Sequence, residues 1–334
     1  LPELIKEHCL GRAHQWPSPA GAVAAAFLLC NVVSCTLATP AADEARRRLQ
    51  DTVALVDEVK AFERTLGIEP TQTLSNSSGQ RPSLSMLWVW LQRAGTLALR
   101  RPIDIRMAIG FYADKERIPL ERIYKVEGYS VYYRQGNEFA DERAVTTAGF
   151  AAENAVRRVK VIIHEDLHDD RNFDLLWEVE EGIVTPLGSL AAVEFFRQNG
   201  DDENLRLARM ALENERTVAR ELAALALRAE EIFVAEPVDE AKRTILSILS
   251  DYPAYERQFQ RQTAGQNGET VIEAKLSHDL VYYRYFDAIA ELAEQSGDLK
   301  VLIEQLKGLP ANANVQDGEN YLRALPVNHR ASTG

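Results

Sequence analysis

Hydrophobic and polar positions follow two rhythms along this chain of 334 residues. From Ala41 to about Leu66 the apolar residues Leu49, Val53, Leu55, Val56, Val59 and Phe62 recur at helical spacing, with charges between them. "PTQTLSNSSGQRPS" then packs Ser, Asn, Gly and Pro together and reads as an exposed loop. "LSMLWVWLQRAGTLALRR" is strongly apolar, and its length favours helix over strand. The texture changes between Pro102 and Phe139. "IDIRMAIGFYA" and "KVEGYSVYYRQG" are rich in Ile, Val and Tyr with partial alternation, which predicts two or three strands and a small sheet. Gly128, inside the second run, suggests a bulge or a close backbone approach. After about Thr147 the period is helical throughout. One helix is expected over "FAAENAVRRVKVIIHEDLH" and a second over "NFDLLWEVEEG". Thr185-Pro186 predicts a helix start and Asn199-Gly200 the matching stop. Further helices follow in "DENLRLARMALENERTVARELAALALRAEEIF", "DEAKRTILSILSDY", "VIEAKLSHDLVYYRYFDAIAELAEQSG" and "DLKVLIEQLKG", ahead of a frayed tail "PVNHRASTG". The expected architecture is mainly α with a small β-sheet, an α+β fold.

Composition narrows the function. The net charge of −12 argues against a nucleic-acid partner, which needs a basic surface to displace counterions. All three cysteines, Cys9, Cys30 and Cys35, fall in the first 35 residues, so the body of the chain has neither a disulfide framework nor a cysteine metal site. That first stretch runs from basic residues into "AGAVAAAFLLCNVVSC", the layout of a secretory signal, and Val32-Val33-Ser34-Cys35 resembles a bacterial lipobox. The resemblance implies a periplasm-facing envelope lipoprotein, touching the membrane only through a lipid on Cys35. The expected organisation is a signal segment over 1–35, an N-terminal helical region with the small sheet over 36–146, and a helical zinc-binding catalytic region over 147–325. The last two would form one compact unit.

"HEDLH" carries the chemistry. His164, Glu165 and His168 fit H-E-x-x-H. Two histidines four apart share a helix face and can bind one Zn²⁺ as neighbours. The flanking Glu165 can then take a proton from a water that the metal has acidified. Val156, Val159, Ile163 and Leu167 form an apolar stripe that would seat this helix on a core, with the histidines at its edge. A catalytic zinc needs a third protein ligand and an open position. Glu181, on the next predicted helix, is favoured. Its neighbours Glu180 and Glu178 are alternatives. Asp174, six residues after His168, is disfavoured because a ligand at that spacing needs a tight-turn Gly three residues after the second histidine, where Arg171 stands. Asp169, Asp170, Asp174 and Glu178 are all near enough in sequence to orient an imidazole from behind.

"VIIHEDLH", the short gap, "VEEGIVTPLGSLAAVEFF" and "VDEAKRTILSIL" together resemble the bacterial aminopeptidases of the gluzincin type, over about residues 155–310. The resemblance implies a gluzincin-like helical domain, a zinc cofactor and a peptide or protein substrate. It also implies a Tyr or His from a later helix to stabilise the oxyanion, for which "LSHDLVYYRYFD" offers His278 and Tyr282 on one face. The expected function is a zinc-dependent, aminopeptidase-like hydrolase. Its rival is a non-catalytic metal-binding or interaction lipoprotein.

Overall fold

A largely helical chain packed on a three-stranded antiparallel sheet positions the candidate site. The computed structural model describes residues 40–77, 84–113, 126–136, 144–170 and 173–325. The leader expected at 1–35, with Cys35, and the tail at 326–334 lie outside them. Within the described residues the chain is mainly helical. Helix α1 spans Pro40–Thr65, and the strands β1 (Leu84–Arg93), β2 (Ile105–Ala113) and β3 (Tyr129–Gly136) follow. Helices α2 (Ala148–Ala151), α3 (Ala155–Asp169), α4 (Trp177–Gln198) and α5 (Asp202–Ala235) come next. The remainder is α6 (Val238–Ser247), α7 (Pro253–Gln262), α8 (Gly268–Tyr283), α9 (Phe286–Ser296), α10 (Leu299–Leu306) and α11 (Val315–Ala324). From Pro40 onward the chain is one compact unit. No helix of the described residues is long and apolar enough to cross a membrane.

The apolar run after residue 83 is a strand, not the expected helix. β1 is the centre of an antiparallel sheet of order β2-β1-β3. Leu87, Val89 and Leu91 are buried on one face with Val131 and Tyr133, while Trp90 and Tyr132 are buried on the other against α8. A strand covered on both faces loses the polar–apolar alternation and reads as a continuous apolar run. The register shift lies between Leu87 and Trp88 of β1, not at Gly128. Gly128 serves the turn into β3, where its φ of +80° suits a residue without a Cβ.

The expected first helix around HEDLH is broken in two. Asn154 caps α3 by accepting from the Arg157 N–H at 2.9 Å. One face of α3 is sealed by Val159, Ile162, Ile163 and Leu167. Asp166 anchors it from behind, in a buried ion pair with Lys60 of α1 at 2.7 Å. Beside that pair, burial and then the Asp166 charge push the Glu63 carboxyl well above its usual range. The second expected helix and the predicted start at Thr185-Pro186 fuse into one helix, α4, with Pro186 inside it. A proline there costs one backbone hydrogen bond and about 3 kcal/mol in isolation. The near-complete burial of α4 offsets this, since a helix apolar on all sides is held by packing. The stop at Asn199-Gly200 stands where the sequence places it. The long helix expected over 271–297 divides into α8 and α9.

Candidate metal site

The α3 and α4 helices pack closely because Gly188 faces His164. A Cβ on Gly188 would lie 3.3 Å from the His164 Cβ and 3.2 Å from the Lys160 carbonyl oxygen. α4 begins at Trp177, so its first turns present Glu180 and Glu181 to the histidines one helix away.

Three side-chain atoms converge. The His164 and His168 Nε2 atoms are 3.1 Å apart. The Glu181 Oε2 lies 3.5 Å from the first and 3.4 Å from the second. These three residues form a group able to hold a cation among the described residues. The fit to zinc can be tested by geometry. A tetrahedron with metal–ligand bonds of about 2.05 Å has edges of about 3.3 Å. The three separations of 3.1, 3.4 and 3.5 Å bracket that edge. The Glu181 Oε2 is buried and has no hydrogen-bond partner among the described residues. Its separations from the imidazoles are too long for strong hydrogen bonds. Such an orphaned buried acceptor facing two imidazole nitrogens suits a cation at their centre.

The three converging atoms are held from outside. Glu180 sits behind His168, its Oε1 2.7 Å from Nδ1, which fixes Nε2 toward the cluster. The Trp177 indole N–H donates to the other Glu181 oxygen at 3.1 Å. Electrostatics follow these contacts. Burial raises the Glu181 carboxyl, but contacts with His164 and His168 outweigh it and hold the group well below the usual carboxylate range. Burial lowers the His164 imidazole below its ordinary value. Burial also opposes charge on His168, yet Glu180 and Glu181 prevail and raise it well above the ordinary value.

The structure sorts the remaining candidates. Glu165 is half-buried on the same helix, and its charge reaches both His168 and Tyr282. Tyr282 is half-buried at the end of α8, its ring 6.4 Å from Trp177. Its phenol is raised far above the ordinary range by burial first and the Glu181 charge second, so it stays protonated. His278 stands apart from the cluster. It is 2% exposed, with its ring 4.4 Å from Trp90 and 5.0 Å from Tyr282, and its Nδ1 lies 2.7 Å from Asp279. Asp279 also accepts from Tyr255 and Lys275, so His278 belongs to a buried polar network under the sheet. Asp174 is exposed and outside the cluster, as is half-buried Glu178. Asp170 turns away to Lys307 at 3.4 Å and to the Glu69 N–H at 3.2 Å. The side chain of Asp169 is outside the described residues. Of the described carboxylates, Asp170, Asp174 and Glu178 do not stand behind an imidazole, and Glu180 takes that position.

Three contributors escaped sequence reasoning. Trp177 carried one signal: it precedes Glu181 by one helical turn and so shares its face. Arg106 carried none, because strand pairing alone brings it over Trp177, with its guanidinium 4.0 Å from the ring centre. Arg134 likewise reaches the site only through its register with Trp88. Comparison with known protein families, curated proteins and solved structures returns no match to this chain.

Proposed function

We propose that this chain is a zinc-dependent peptidase of the gluzincin type. The observation that supports the reading is the triangle of His164 Nε2, His168 Nε2 and Glu181 Oε2, with sides of 3.1 to 3.5 Å and an unsatisfied buried oxygen at one corner. His164, His168 and Glu181 would hold the metal from two helices, three protein ligands being the number that catalytic zinc sites use. When bound, zinc would supply Lewis acidity toward the scissile carbonyl and the attacking water. The protein supplies the rest. Glu165 takes a proton from the attacking water and delivers it to the leaving amine. Tyr282, kept protonated, donates its O–H to the oxyanion of the tetrahedral intermediate. Glu180 holds the His168 ring in the orientation that ligation needs.

Elemental analysis of the purified protein tests this directly. About one zinc per chain is expected, lost in Glu181→Ala and retained in Asp174→Ala. Glu165→Gln should keep its zinc and lose hydrolysis of an internally quenched peptide mixture. Zinc without hydrolysis in wild type would favour the non-catalytic metal-binding alternative. Wild-type protein without zinc, after supply of the metal at neutral pH, would reject the reading.

A further inference from the structure

The sheet brings two arginines to the site. On β1, Trp88 and Trp90 share one face. Arg106 pairs in register with Trp90, and Arg134 with Trp88, so both guanidinium-bearing residues belong to that same face. Arg106 is sandwiched: its guanidinium carbon lies 4.2 Å from the Trp88 ring centre and 4.0 Å from that of Trp177. Both flat faces of the cation are therefore covered, and its N–H donors project from the edge of the sandwich. One slice of that sandwich, Trp177, holds Glu181 through its indole N–H. Both arginines keep exposed surface, although protein atoms crowd the Arg134 guanidinium itself, and no ion pair of either with a carboxylate is seen among the described residues. Their charges meet at Tyr282, whose phenol feels Arg134 and Arg106 together with Glu181 and Glu165. Desolvation works against the charge on Arg134. Tyr282, Tyr132, Asp279 and Glu181 outweigh it and raise the guanidinium.

These are the components of an anion-recognition site. The Arg106 sandwich fixes the plane of the fork before ligand arrives, so little rotamer entropy is lost when it engages a planar carboxylate. Two of the nearby carboxylates have other partners. Glu181 is committed to the two imidazoles and Trp177, and Glu180 to His168. An enzyme that anchors a substrate's free amine needs the opposite charge. Resting on the peptidase reading above, we infer that Arg106, stacked between Trp88 and Trp177, and Arg134, in register beside it, bind a substrate carboxylate, foremost the C-terminal one. The site would then cleave near the carboxyl end of its peptides.

Binding to the zinc-loaded Glu165→Gln protein tests this without turnover. The probe is N-acetylated Ala-Glu-Ala-Phe with a free C-terminus. It is compared with its C-terminal amide and with the same peptide carrying Gln for Glu, by calorimetry and by tryptophan fluorescence. Amidation should raise Kd about tenfold or more, the scale of one charged hydrogen bond or two. Arg106→Ala and Arg134→Ala should each weaken the acid and abolish its advantage over the amide, with zinc content unchanged. If only the Gln probe weakens, the carboxylate recognised is a side chain's, and the assignment of the arginines stands. Equal binding of all three probes would overturn it, whatever the arginine variants do. Zinc content is read separately, so a zinc-bearing protein indifferent to carboxylate rejects the subsite alone. A protein without zinc rejects the peptidase reading.

Discussion

Glu180 and Glu181 are adjacent in sequence and differ by about 100° around a helix. That angle gives them different work. Glu181 faces both imidazoles, while Glu180 reaches Nδ1 of His168 from the side. Glu180→Gln keeps a weak acceptor but removes the charge. It should weaken zinc about ten- to a hundredfold with the fold intact, as read by competition with a chelator. Unchanged affinity would remove Glu180 from its orienting role. At this scale the sequence was legible where chemistry and period coincide. His164, Glu165 and His168 can be read from one turn of helix. The choice between Glu180 and Glu181 could not, because it depends on where α4 starts and how it is rotated against α3. Both are set by packing between elements. Asp174 is exposed and lies outside the cluster.

Among elements, the contact of α3 with α4 decides whether the ligands meet. At Gly188 the two helices leave little room for a Cβ. Gly188→Val would drive two extra methyl groups toward His164 and the Lys160 carbonyl, costing about 1–3 kcal/mol as the helices separate. It should lower the thermal midpoint and the zinc affinity together. A drop in stability with zinc affinity unchanged would show that the ligand geometry tolerates the displacement. The helical period predicted α1, α3 and the C-terminal helices, since amphipathic faces are printed in their sequences. It failed at β1 and at Pro186 for a common reason. β1 is buried on both faces and α4 on nearly all sides, and full burial erases the polar positions from which a period is read. Proline as a helix starter is a local rule, and tertiary packing overrode it in α4.

Across the whole molecule, burial of polar groups ties stability to pH. His278 is held neutral, its pKa lowered to about 4, chiefly by burial and against the pull of Asp279. The unfolded chain binds this proton near pH 6.5, so it takes up protons first on acidification. The stabilisation from neutral His278 is complete above pH 6.5 and is lost as pH falls toward and through 4, on the order of 3 kcal/mol. Urea midpoints should fall across that window. His278→Asn, which can still donate to Asp279, should show a shallower fall, and an identical slope in both proteins would exclude His278 as the cause. The ligand triangle has a different consequence for how the molecule assembles. His164, His168 and Glu181 all lie within a single helix–loop–helix segment, whereas the arginines beside them come from strands far earlier in the chain. Closing a short loop costs little entropy, and contacts close in sequence form before distant ones. The cation-holding part of the site is thus the cheapest part of the fold to bring together. The two arginines join only when the sheet forms, so on the proposed reading metal capacity and substrate selectivity would be set at different stages of folding.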